Sequence, residues 1–250
     1  MRTPLKDGSI LTDDQRFLLF NKETPLCGIT TNRFGDCSYI DPVFEELQSE
    51  FLQKILGAGC YHKLKAQHKD NIVYLNYGQL NSSSHHEADA IMCPADGEPV
   101  ALFSNTADCA TITLTDMDQK FLAIIHSGRA GTNLNIVGKT IDLIQHNFPD
   151  VYPGRMLAWF WPGLRDNLNT ISDQDPHLTN LWDWYHKGLL HLKIAITCQL
   201  SEAGLLGKNI KIVDCYTDSI IGDDTSFYSY RLKQDYRRNT VFITNNQSSL

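Results

Sequence analysis

A chain of 250 residues, 42% of them hydrophobic, is long enough to bury one large core as a single domain. Its net charge of −7 argues against a general nucleic-acid binder, so any anion must be attracted locally. No apolar run approaches the ~20 residues that a membrane span requires. The opening Met1-Arg2-Thr3-Pro4-Leu5-Lys6-Asp7-Gly8 lacks the apolar stretch of a signal peptide, and seven cysteines without a CxxC pair suit reduced thiols. A cytoplasmic location is the expectation.

In chain order, Val43–Leu56 reads as a helix with Phe44, Leu47, Phe51 and Ile55 on one face, ended by Gly57-Ala58-Gly59. Ile72–Leu75 and Val100–Phe103 read as strands, with Asn81-Ser82-Ser83-Ser84 as a loop between them. Ala110–Thr115 alternates small or apolar residues with threonines, the period of a half-buried strand, and Phe121–Ile125 is a second apolar run. Apolar positions Leu134, Val137, Ile141 and Ile144 follow at helical spacing. Met156–Trp161 is a further strand, stopped by Pro162-Gly163, and a polar stretch from Asp166 leads to a helix expected over Leu178–Ala203 with a break near Gly188. Ile210–Val213 and Thr240–Thr244 supply the last strands. Hairpins mixed with helices favour an α+β fold over a repeated parallel unit.

The hairpin at Asp116-Met117-Asp118-Gln119 carries the chemistry. Folded symmetrically about Met117 and Asp118, it sets Thr115 against Lys120 and Cys109 against His126, and directly opposed residues lie roughly 4.5–5.5 Å apart at Cβ. A thiolate and an imidazole at that distance can share a metal or a proton. After His126, the loop Ser127-Gly128-Arg129-Ala130-Gly131-Thr132 leaves a strand and enters a helix, where backbone N–H groups and Arg129 suit a phosphate or an oxyanion. Histidines 85 and 86 sit in the Ser-rich loop and read as solvated; they are also the rival source of a third ligand. The aromatic group Trp159, Phe160, Trp161, Trp182, Trp184 and Tyr185 reads as core and helix packing.

Thr106-Ala107-Asp108-Cys109 followed by Ile124-Ile125-His126-Ser127-Gly128, with Ala88-Asp89-Ala90 upstream and Phe227-Tyr228-Ser229-Tyr230-Arg231 downstream, resembles the laccase-domain family. Its members have been called polyphenol oxidases, peptidoglycan editing factors and purine nucleoside phosphorylases. The resemblance runs from about Gly28 to Ile243, in the family's order and at about its spacing. It implies a single mixed-sheet domain flanked by helices, over residues 28–244, with 1–27 belonging to the same domain and 245–250 as a tail. It also implies one zinc held by His68, Cys109 and His126, the same residues being catalytic. Purine nucleoside and phosphate would be the substrates, with adenosine, inosine, guanosine and methylthioadenosine as candidate nucleosides and adenosine deamination as a second activity. Two imidazoles and a thiolate leave a tetrahedral zinc one open position, as in catalytic sites.

The departures from the family pattern fall in the arginines. His-Ala-Gly-Trp-Arg-Gly becomes His126-Ser127-Gly128-Arg129-Ala130-Gly131, so Arg129 stands one residue early and is read, with Gly128, as having taken over the anion. The early Thr-Thr-Arg is Thr30-Thr31-Asn32-Arg33. Late in the chain Tyr236-Arg237-Arg238 stands where Thr-Gly-Arg is usual, and Arg231 and Arg238 complete the candidate substrate-binding set. Three other classes stay open: a metal-independent cysteine hydrolase with Cys109 as nucleophile and His126 as base, a copper-dependent polyphenol oxidoreductase at the same ligands, and a non-catalytic binding protein. Oligomeric state is left open.

Overall fold

The computed structural model describes residues 3–4, 7–20, 25–38, 59–221, 223–234 and 236–246, and the helix expected over Val43–Leu56 lies outside them. The strands are β1 (Thr3–Pro4), β2 (Ile10–Leu11), β3 (Phe17–Phe20), β4 (Leu26–Thr30), β5 (Cys60–Leu64), β6 (Ile72–Tyr74), β7 (Ser84–His86), β8 (Ala90–Pro94), β9 (Val100–Thr106), β10 (Ala110–Asp116) and β11 (Phe121–Ser127). Helices α1 (Arg129–Asn133) and α2 (Ile136–Asn147) follow, then β12 (Met156–Phe160), β13 (Tyr185–His186), β14 (Leu189–Leu190), α3 (Leu192–Glu202), β15 (Ile210–Ile212), α4 (Tyr230–Lys233) and β16 (Asn239–Thr244). They build one sheet in the order β1-β2-β3-β4-β16-β9-β5-β7, a second in the order β15-β12-β10-β11-β8-β6, and the small ribbon β13-β14. Both large sheets mix parallel and antiparallel pairs, and the fold is α+β. No described helix is long and apolar enough to cross a membrane.

Period-two alternation sorts the side chains into layers. Along β11, Leu122 and Ile124 join Leu18, Ile29, Leu102 and Val241 of the other sheet in the core between the two sheets. Phe121, Ala123 and Ile125 point the other way, onto Val137, Ile141 and Ile144 of α2 and Ile196 and Leu200 of α3. The same rule makes β10 more buried than its sequence predicts. Its threonines do not face solvent; all seven residues are buried, because a second sheet covers the threonine face. There Thr113 Oγ1 accepts a 3.0 Å hydrogen bond from Trp161 Nε1, and Thr115 Oγ1 donates to the Phe121 carbonyl at 2.6 Å.

Two expectations change. The helix over Leu178–Ala203 exists only as α3; before it the chain makes 3₁₀ turns at Pro176–Leu178 and Trp182–Trp184, then the ribbon that turns at Lys187 and Gly188, both with positive φ. The hairpin register is also displaced by two residues: Thr111, not Cys109, lies opposite His126, and Ala110 opposes Ser127. The turn explains the shift, since Asp116 Oδ1 accepts the Lys120 N–H at 2.6 Å and Gln119 adopts a left-handed φ of 52°, which lengthens the connection. A displacement of two keeps every side chain on its face, so Cys109 and His126 stay on the same side as diagonal neighbours.

Candidate metal centre

The chain passes from the eight-stranded sheet to the six-stranded one three times within 45 residues of sequence order, at 65–71 between β5 and β6, at 87–89 between β7 and β8, and at 107–109 between β9 and β10. Each crossover supplies the site. His68 lies on the first, Asp89 on the second and Cys109 on the third, while His126 stands near the end of β11. Ligand atoms of His68, Cys109 and His126 all lie within 4.8 Å of one another. The two imidazoles meet edge to face with centroids 5.3 Å apart.

Asp89 is the keystone of this arrangement. Fully buried, its carboxylate accepts the backbone N–H groups of Gln67 at 3.0 Å, His68 at 2.7 Å and Lys69 at 3.0 Å, while its carbonyl accepts the His126 N–H at 2.7 Å. Those bonds hold His68 at a left-handed φ of 57°, which a non-glycine residue adopts only when its surroundings impose it. Asp108 plays a related part beside Cys109. Its Oδ1 accepts from Ser229 Oγ at 2.6 Å and Thr217 Oγ1 at 3.1 Å, its Oδ2 accepts from the Arg231 N–H at 2.7 Å, and its carbonyl accepts from Leu164. Both aspartates stand within sequence motifs, yet no local pattern assigns either a task; Asp108 is at least adjacent to the ligand Cys109, whereas Asp89 lies 21 residues from His68.

The donor set fits a metal ion. Among the described residues, neither ring nitrogen of the buried His126 meets a partner at good hydrogen-bond geometry, a costly arrangement for a group that otherwise finds one. Gly128 is there for close approach: a Cβ at this position would lie 2.9 Å from Cys109 Sγ and 3.8 Å from His126 Nε2, inside the space between the ligands. Burial, with Asp108 adding to it, pushes the Cys109 thiol up to about 11 against the pull of Arg129 and Arg238. Burial and the neighbouring His68 push the His126 imidazole down to about 3. On its own charges this pocket favours a neutral thiol and a neutral imidazole, and a bound cation would drive off the thiol proton and stabilise the thiolate.

These residues open onto a cavity of about 850 Å³. Arg129, Arg231 and Arg238 all reach its wall, joined by Asn105, Asn169, His177, Tyr230 and Tyr236, which sequence patterns do not mark as site residues. Each arginine also has a protein partner. Arg129 Nη1 makes a 2.8 Å ion pair with Asp175, Arg231 Nη1 donates to Thr170 Oγ1 at 3.0 Å, and Arg238 Nη1 donates to the Tyr236 carbonyl at 2.6 Å. Arg33 turns away to the Asp223 carbonyl. Neither His85 nor His86 joins the cluster: His86 Nε2 shares a 3.0 Å hydrogen bond with His62 Nδ1, and His85 lies against the Tyr61 ring. Trp159 and Trp161 belong to the core between the sheets, in keeping with a packing role.

The architecture has solved counterparts. YlmD from Geobacillus stearothermophilus matches with a TM-score of 0.77 at 18% identity, over 93% of this chain and 97% of that one. YfiH from Bacillus licheniformis matches at 0.74 and 17% identity, over 91% and 96%, and the Neisseria meningitidis protein NMB0706 at 0.72 and 20%, over 91% and 98%. At such identities the likeness is one of fold. The family model described as multi-copper polyphenol oxidoreductase laccase matches residues 46–245, and the chain belongs to that family. A curated purine nucleoside phosphorylase from Clostridium acetobutylicum is 36% identical over 85 residues, 34% of this chain and 34% of that protein, so the match spans about a third of its length.

Proposed function

We propose that this chain is a zinc-dependent purine nucleoside phosphorylase, with His68, Cys109 and His126 holding the metal and adenosine, inosine, guanosine or methylthioadenosine as nucleoside. The observation that carries the proposal is the convergence of two imidazoles and one thiol on a single cavity in a member of this family. The partial likeness to a curated purine nucleoside phosphorylase supports the substrate class. A zinc held by this donor set would supply Lewis-acid polarisation inside the cavity.

The remaining work falls to the chain's own side chains. Arg231 and Arg238, with Arg129 at the start of α1, bring positive charge to the wall of a cavity in a protein of net charge −7, which is where a phosphate would be held. Leu64, Leu164 and Leu192 line the same cavity and limit water around the sugar. In phosphorolysis a phosphate oxygen bonds to C1′ as the C1′–N9 bond breaks. The purine leaves with the bonding electrons and takes up a proton.

Specific observations weigh against two rival readings. A cysteine hydrolase needs a thiolate beside an imidazolium, whereas burial favours the neutral form of both Cys109 and His126. Multi-copper oxidation needs further ligand clusters, and among the described residues one three-ligand group is found. Metal analysis together with chromatography of inosine products, with and without phosphate, tests the proposal. One zinc per chain, lost in Cys109→Ala, and hypoxanthine released with ribose 1-phosphate only when phosphate is present are expected. Base release indifferent to phosphate would mean hydrolysis, and absence of turnover of any purine nucleoside would overturn the activity.

A further inference from the structure

Residues 228–234 and 236–238 bring two tyrosines, Tyr230 and Tyr236, to the wall of the metal cavity with backbones that hydrogen bonds fix and rings that are only partly covered. Tyr230 opens α4 between two residues held by one carboxylate: Ser229 Oγ and the Arg231 N–H both bond to Asp108, next to the ligand Cys109. The Ser229 hydroxyl also caps the helix by accepting the Leu232 N–H at 3.2 Å. Tyr236 is fixed from the other side, because its carbonyl accepts from Arg238 Nη1 and the Arg238 N–H bonds to Asp36 Oδ1 at 2.9 Å. Between them, Arg237 turns its guanidinium over the Tyr228 ring, 4.6 Å from the centroid, so that residues 236 and 238 are the ones that line the cavity.

The rings of Tyr230 and Tyr236 meet edge to face at 5.4 Å, yet Tyr230 is 48% and Tyr236 67% exposed. Contact with each other therefore covers little of either ring. An apolar ring left in water on a pinned backbone, at the rim of a cavity of about 850 Å³, contributes little to folding and is well placed to receive a flat ligand. None of the tryptophans lines the cavity.

We infer that Tyr230 and Tyr236 form an aromatic ledge on which the base of a purine nucleoside stacks at the mouth of the metal cavity, with Tyr236 supplying the larger face. The inference rests on the nucleoside reading above and names the part of the substrate that this rim recognises. Base–aromatic stacking is tolerant of ring identity, so the ledge selects a bicyclic base over a smaller ring without distinguishing adenine from hypoxanthine. The sugar then points inward, towards the ligands and the arginines.

The test is equilibrium titration of inosine into the zinc-loaded full chain without phosphate, followed by kinetics with phosphate, for wild type, Tyr236→Phe, Tyr236→Thr and Tyr236→Ala. Loss of the ring should weaken inosine binding by about tenfold and raise its KM to match, with KM for phosphate and zinc content unmoved. Tyr236→Phe should bind as wild type does, and Tyr236→Thr as Tyr236→Ala does. Because the side chain stands largely in water, the variants should fold. Wild-type affinity in Tyr236→Ala would overturn the ledge and leave the phosphorylase reading standing. Binding that depends on the ring in a protein that turns over no purine nucleoside would uphold the ledge and remove the phosphorylase reading, and a wild type that binds no purine nucleoside would overturn both.

Discussion

His68, Cys109 and His126 hang from backbone that hydrogen bonds fix on both sides, whereas Arg129, Arg231 and Arg238 reach the same cavity on long side chains tied to whatever lies beside them. In the first region, the buried Asp89 gathers three N–H groups of the His68 loop and its carbonyl takes the His126 N–H. In the second, Asp175, Thr170 and the Tyr236 carbonyl are the partners, and each belongs to a different segment. Geometry for a metal must be right to a few tenths of an ångström, and backbone crossovers between two packed sheets supply that rigidity. Holding an anion demands less, because a guanidinium on a flexible stem can come from several backbone positions.

Removing the keystone should have the largest effect. Asp89→Ala removes the buried carboxylate that holds three part-buried N–H groups at once, for an expected loss of roughly 2–4 kcal/mol in urea unfolding together with a marked fall in zinc content. A variant with wild-type stability and full zinc would show that the His68 loop holds itself, and the contrast between the two regions would collapse.

Acid should loosen the same corner from the sheet edge. His62 is 1% exposed and tied to His86, whose carbonyl accepts the N–H groups of Lys65 and Ala88 at the start of the first two crossovers. Burial, then the neighbouring His86, pushes the His62 imidazole from 6.5 down to about 4. A group with a depressed folded pKa contributes its full stability above pH 6.5, where the imidazole is neutral folded or unfolded, and loses it as pH falls towards 4, because only the unfolded chain takes up the proton. The loss from this residue should reach at most about 3 kcal/mol. Unfolding midpoints between pH 7.5 and 4.5 should therefore flatten in His62→Leu relative to wild type; parallel curves would show that His62 is not the group responsible.

The arginine rim should give the smallest change. The Arg129–Asp175 pair is partly exposed, at 37% and 16%, so Arg129→Ala should cost less than about 1 kcal/mol of stability. Its effect on the phosphate concentration dependence of turnover should be about tenfold, and smaller for Arg129→Lys, which keeps the charge but not the planar fork. An unchanged phosphate dependence with zinc intact would transfer the anion to Arg231 and Arg238.

Much of the framework is legible in the chain's own periodicities. The alternation of 110–115 and the apolar run 121–125 mark two strands, and the motif around Cys109 and His126 carries the family with it. The spacing of Val137, Ile141 and Ile144 marks the buried face of α2, but Leu134, read on the same stripe, falls before that helix at the end of α1 and is exposed. The register expected for the hairpin is wrong by two residues, and the pairing of faces is nonetheless right. Side chains alternate with period two, so an even slip preserves which face each occupies while changing its direct partner. The helix expected over 178–203 fails in its first half, where Leu178, Leu181 and Leu190 pack together from separate turns and a ribbon around Ala195.

The sequence by itself determined the residue types of the metal set, the face on which Cys109 and His126 lie and the apolar layers, because each of these is written in short-range periodicity or in a local motif. Tertiary structure alone decided that β10 is buried on both faces, that Asp89 holds His68, that Asp108 ties Cys109 to Ser229 and Arg231, and that Arg129 meets Asp175. Those choices join segments 21 to 123 residues apart. Two sheets must first pack and three crossovers converge before such partners meet, and no local pattern records which carboxylate will stand beside which N–H once they do.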